Sequence, residues 1–144
     1  QNTLTGQTGN RQNDSVLRKM KKLPIKYLQI ALVALIKDAG YDTDGFDVFP
    51  RVEVSGVEME EGAEKGDRDY NCTFLLDVIT KSDSPMLSLN ILENLRNKLD
   101  ELEVDFFYKD GLIPETCTQA IELTDTETIY RQLQRFRILL TQKD

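Results

Sequence analysis

The sequence predicts an α+β domain: a four-stranded, mostly antiparallel sheet with two helices packed on it, in the order α-β-β-α-β-β, behind a flexible N-terminal arm. Three observations carry this. Residues 70–80 alternate, with Tyr70, Cys72, Phe74, Leu76 and Val78 on one side, which is the period of a half-buried strand. A polar corner, Lys81-Ser82-Asp83-Ser84, then meets Pro85, and Leu87, Ile91, Leu92, Leu95, Leu99 and Leu102 follow at helical spacing, the stripe of a helix that covers a sheet. Residues 129–141 alternate again, with Tyr130, Gln132, Gln134, Phe136, Ile138 and Leu140 opposite Arg131, Leu133, Arg135 and Arg137.

Residues 1–15 are rich in Gln, Asn, Thr and Gly, with Leu4 their one large apolar side chain. Such a stretch does not bury enough surface to order itself, so a flexible basic arm is expected over residues 1–22 and one folded domain over residues 23–144. A helix should start near Pro24, carry Ile25, Leu28, Leu32, Leu35, Ile36 and Ala39 along one face, and stop at Gly40, where a left-handed residue ends helices most readily. A first strand is expected over residues 46–55, with Pro50 placing it on an edge or at a bulge because proline donates nothing to a ladder. Residues 58–69 read as a long acidic hairpin tip. In the helix that follows the 70–80 strand, Pro85 suits the first helical position and Ser84 the N-cap. Phe106, Phe107 and Tyr108 should pack over the end of the sheet, Asp110-Gly111 marks a turn, and residues 116–123 form a third strand. The last strand should be the longest.

A chain of 144 residues with 40% hydrophobic and 30% charged side chains has material for one core and a polar surface. No run of apolar residues is long enough for a membrane span, and there is no basic-then-apolar leader, so a soluble protein of intracellular origin is expected. Cys72 and Cys117 are expected as buried, reduced thiols. With no histidine in the chain, the two cysteines make no zinc site, and Ser-His and Cys-His nucleophile pairs are excluded. No phosphate-binding glycine loop is present, and the carboxylates are not in Ca²⁺-loop order. The expectation is therefore no catalytic residue, no metal and no cofactor.

The net charge of −7 is unevenly spread. Residues 1–26 hold Arg11, Arg18, Lys19, Lys21, Lys22 and Lys26 against Asp14 alone, a net of +5, which leaves −12 on the remainder. Three candidate sites follow. The basic segment Arg18, Lys19, Lys21 and Lys22 is either a solvated arm or a contact for an acidic neighbour. The stripe Arg131, Leu133, Arg135 and Arg137 is either a solvent face or a subunit interface, with nucleic-acid binding disfavoured because no aromatics interleave with it. The acidic tip, with Glu58, Glu60, Glu61, Glu64, Asp67 and Asp69, is a solvated loop, a lining that repels passing DNA, or a divalent-ion site.

An N-terminal helix, an edge strand with a charged hairpin tip, the strand at 70–80, the polar corner, the leucine-rich helix and the closing strand at 129–138 together resemble the tail terminator, or tail-completion, proteins of tailed bacteriophages. The likeness spans residues 23–142 and lies in the order, lengths and character of the elements. It implies a virion structural protein without enzymatic activity, made in the host cytoplasm and carried in the tail or neck. Its copies would form a ring, usually hexameric, that caps the tail tube protein and joins a head connector or neck protein. DNA would pass through the lumen without sequence-specific binding. The acidic tip matches a family loop that tends to order on assembly, and the closing strand matches one with interface contacts. The polar arm and basic segment leave room for another head-to-tail connector ring, and a small ligand-binding regulatory domain is the remaining alternative.

Overall fold

The computed structural model describes residues 20–61 and 68–144. Its elements are α1 (Pro24–Asp38), β1 (Arg51–Glu61), β2 (Asp69–Lys81), α2 (Met86–Leu99), β3 (Phe107–Leu123) and β4 (Thr128–Gln142). The four strands form one antiparallel sheet in the order β1-β2-β4-β3. The predicted fold class and element order are the ones observed.

Both helices lie on the same face. Leu28, Leu32 and Ile36 of α1 and Ile91, Leu92, Leu95 and Leu99 of α2 share one core with Cys72, Phe74, Leu76, Phe136, Ile138 and Leu140 of β2 and β4. Phe74 and Phe136, cross-strand partners, stack with ring centroids 5.1 Å apart at its centre. Proline opens α1, and beyond Asp38 the Gly40 N–H donates to the Lys37 carbonyl and the Tyr41 N–H to the Ile36 carbonyl. Gly40 takes φ +94° to make this closure, the conformation glycine adopts at least cost. At α2 the N-cap is Pro85, one residue beyond the Ser84 expected, and the Ser84 hydroxyl accepts from the Met86 N–H at 3.1 Å. Leu87, placed on the buried stripe, is instead 42% exposed, and Ser88 takes the inward position. The Ser88 hydroxyl accepts from Gln132 Nε2, which also donates to Gln119 Oε1. A buried amide thus ties the first turn of α2 to β4 and β3.

Three boundaries differ from expectation. β1 begins at Arg51, after a cis Phe49-Pro50 bond, and runs to Glu61 through a bulge at Gly56. Glu58 and Glu60 are therefore strand residues opposite Thr73 and Asn71, not part of a hairpin tip. The Asp110-Gly111 pair does not turn the chain but forms a bulge inside β3, between the Lys109 and Gly111 pairings. With that segment included, β3 has 17 residues and exceeds β4, which has 15. Phe107 is buried against Tyr70 and Tyr27 as expected, whereas Tyr108 is open.

Cys117 is exposed, contrary to the reading that buried both thiols. Its side of β3 is the predicted one, but the helices end short of this half of the strand, and residues 113–123 are exposed apart from Ala120. Cys72 is fully buried, and burial pushes its thiol up to about 11. A thiol reagent is expected to modify Cys117 alone in the native protein and both cysteines after denaturation. An unfolded thiol titrates near ~8.5, so between that pH and about 11 the folded chain holds a proton the unfolded chain has lost. Stability should accordingly fall as pH rises through this window. Cys72→Ala should flatten that decline in denaturant midpoints measured across it.

The start of the described chain is fastened to the end of the sheet. Gln142, 3% exposed, donates from Nε2 to the Met20 carbonyl at 2.7 Å and accepts at Oε1 from the Lys22 N–H at 2.9 Å. Gln142→Ala strands both backbone groups, and a loss of about 1–3 kcal/mol is expected. Denaturant unfolding, with hydrogen exchange at the Lys22 amide, checks it.

Among the described residues, no helix is long and apolar enough to cross a membrane.

Candidate assembly interface

The face of the sheet turned away from the helices carries no helix, although Asp77 and Ile79 at one end of it are buried. On β4 it presents Arg131, Leu133, Arg135, Arg137 and Leu139, and on β2 Asn71, Thr73, Leu75 and Asp77, because successive side chains of a strand alternate and the register pairs these rows. On β1 it presents Arg51, Glu53 and Ser55 before the Gly56 bulge and Glu58 and Glu60 after it. The extra residue switches parity and keeps acidic side chains outward along the whole strand. Without that switch Val57 and Met59, which pack against the core, would face out.

The arginine stripe is one row of this face, as the sequence places it, but it is not a uniform cationic patch. Arg131 forks between Asp77, where Nε lies 3.3 Å from Oδ1 and the terminal nitrogen makes a short contact to Oδ2, and Glu122 at 3.0 Å. The hydrogen bond to Asp77 pushes the guanidinium further above its ordinary value. Arg137 pairs with Glu115 at 3.0 Å. Arg135 has no ion pair among the described residues; its guanidinium lies about 4 Å from the space a Cβ at Gly56 would occupy, beside Leu75. The row therefore combines two neutralised arginines, one open arginine, and the half-buried Leu75 and Leu133. Asn71, on the same face, holds a buried Oδ1 with no hydrogen-bond partner.

Next to this face runs the free edge of β3, where Ile113, Ile121 and Leu123 are between 50% and 76% exposed. Proline at 114 and a second bulge between Pro114 and Cys117 interrupt the edge, and Gln134 Nε2 satisfies the Glu115 carbonyl there at 2.9 Å. Apolar side chains beside unpaired backbone make a surface suited to another chain. No residue pattern in β3 announces it, because its exposure depends on where the helices stop.

The other expected site residues are scattered. Lys22 is not a free charge: its ammonium lies 4.6 Å from the centre of the Phe106 ring. Lys21 is exposed and has a partner. Asp69 opens β2 and lies 3.0 Å from the Thr141 hydroxyl, which also reaches Asp110 and donates to one carboxylate at a time. Arg18, Lys19, Glu64 and Asp67 lie outside the described residues, as does the side chain of Glu61. Among the described residues no group of three or more potential metal ligands gathers. On the opposite side of the molecule, α1 and the segment that follows α2, with Lys98 at its start, line a groove of about 540 Å³ with an acidic rim.

No family model matches the sequence, and no curated protein matches it. Solved structures do share the fold. A chain from the virion of a native gene transfer agent particle superposes with a TM-score of 0.57 at 17% identity, over 76% of this chain and 84% of that one. At this identity the likeness establishes a common architecture.

Proposed function

We propose that this protein is a structural component of a phage-type virion, and that its copies close into a ring that caps the tail tube and joins it to the head connector, with DNA passing through the lumen. The observation that carries the reading is the architecture shared with a chain of the gene transfer agent virion over most of both chains. It is supported by what the described residues leave open: a helix-free sheet face with an arginine, Arg135, that has no ion pair among them, bordered by an apolar free edge. A ring of identical subunits needs two different, complementary surfaces on each copy. The acidic side chains of β1 and Arg135, at the middle of β4, lie on one face and offer opposite charge for such a match.

Negative-stain microscopy of the purified protein, paired with sedimentation, tests this directly. Closed rings of uniform size are the expected result; monomers or compact dimers at every concentration would remove the proposal. Arg135→Glu should raise the concentration needed for assembly about thirtyfold, the effect of losing about 2 kcal/mol at an interface. Its melting temperature should match that of the parent protein, since Arg135 makes no ion pair within the described subunit.

A further inference from the structure

We propose that the groove between α1 and the segment following α2 is the docking site of this chain's own N-terminal segment, residues 11–19, folded back onto the subunit that carries it. The groove is built to take a chain that is both apolar and basic. Its floor includes Ile30, Ala34 and Leu35, with Ile30 54% exposed. Its rim carries Asp38, Glu101, Glu103 and Asp105 against Lys98. None of these four carboxylates forms an ion pair among the described residues.

Residues 11–19 have the complementary character: Arg11, Arg18 and Lys19 against Asp14, with Val16 and Leu17 adjacent. The path of the chain favours the same subunit. Residue 20 is held by Gln142, and Lys22 sits on the Phe106 ring. That ring meets Tyr27 edge-on at 5.0 Å, and Tyr27 and Asp105 are walls of the groove. The described chain thus begins at the mouth of the groove. Nine extended residues span up to ~30 Å, more than the ~22 Å length of α1, so the segment reaches every part of it. Docking would cover Ile30 with Val16 or Leu17 while the basic residues meet the rim, joining apolar burial to charge pairing.

The test uses the full chain, mixed from unlabelled and ¹⁵N-labelled protein and treated with a carbodiimide that joins amines to carboxylates in contact. Mass spectrometry should find Lys19 linked to Glu101, Glu103 or Asp105, within chains of one isotope. In a second measurement, the full-length variant Glu101→Gln/Glu103→Gln/Asp105→Asn should be cut by trypsin after Arg18 and Lys19 about fivefold faster or more, because cleavage follows the population of the undocked segment. Links from Lys19 only to carboxylates outside the groove, or no links, overturn the proposal. Links of mixed isotope overturn it in favour of docking on a neighbouring copy. An unchanged cleavage rate in the variant overturns it as well.

Discussion

Phe136→Ala is expected to destabilise the protein by about 3–5 kcal/mol, the range for truncating a fully buried aromatic side chain. Phe136 is 1% exposed and stacks on Phe74, itself fully buried, across the β2–β4 pairing. These two strands are the middle of the sheet; α2 rests on both, and α1 on β1 and β2. The cavity would open within the core that α1, α2 and the sheet share. In a chain of this size the melting temperature should drop by about 10 °C. Phe136→Leu, which keeps most of the volume, should recover more than half of the loss. Chemical denaturation of both variants supplies the measurement, and a Phe136→Ala loss below about 1 kcal/mol would contradict the central place given to this ring pair.

Arg131→Met is expected to cost about 2–3 kcal/mol, and the reason lies with its partner. Asp77 is 4% exposed, and Arg131 makes the side-chain hydrogen bonds its carboxylate receives. Removing the arginine leaves a charge on the sheet without compensation, which for fully buried pairs costs about 3–5 kcal/mol. The Arg131 side chain is 31% exposed, so water screens part of the interaction and the lower range applies. The double variant Arg131→Met/Asp77→Leu should regain most of the stability, because an apolar pair of similar volume leaves nothing unpaired. The sign of the pH effect also follows. The Asp77 hydrogen bond raises Arg131 in the folded state, so its contribution is complete below the unfolded arginine value, far into the alkaline range, and is lost only above it. From the arginine side, the pair should be insensitive to pH throughout the neutral range.

The parts of the fold legible in the sequence were those where one face carries most of the apolar side chains. β2 alternates from Tyr70 to Leu76 and β4 from Gln132 to Ile138, and Pro24, Gly40 and Pro85 mark helix ends by their backbone chemistry alone. β1 was harder because the bulge at Gly56 changes which side chains face inward; Val54, Val57 and Met59 do not sit at a period of two. Asp110-Gly111 has the composition of a turn and of a bulge alike, and only its pairing partner, Leu139, decides between them. The exposure of Cys117 depends on the reach of helices distant in sequence. The arginine row was legible as a row, while its neutralisation was not: Asp77 and Arg131 are 54 positions apart. The clamp at Gln142 joins residues 120 and 122 positions apart, and no local pattern encodes it.

That clamp has a practical consequence for geometry. By fastening residues 20–22 to the last residue of β4, it makes the two ends of the described chain leave from a single corner of the molecule. The hairpin at residues 124–127, joining β3 to β4, sits at the opposite corner. A partner joined after Gln142 would leave from the first corner, whereas a label inserted in the hairpin would project from the other end of the sheet, clear of both ends of the described chain.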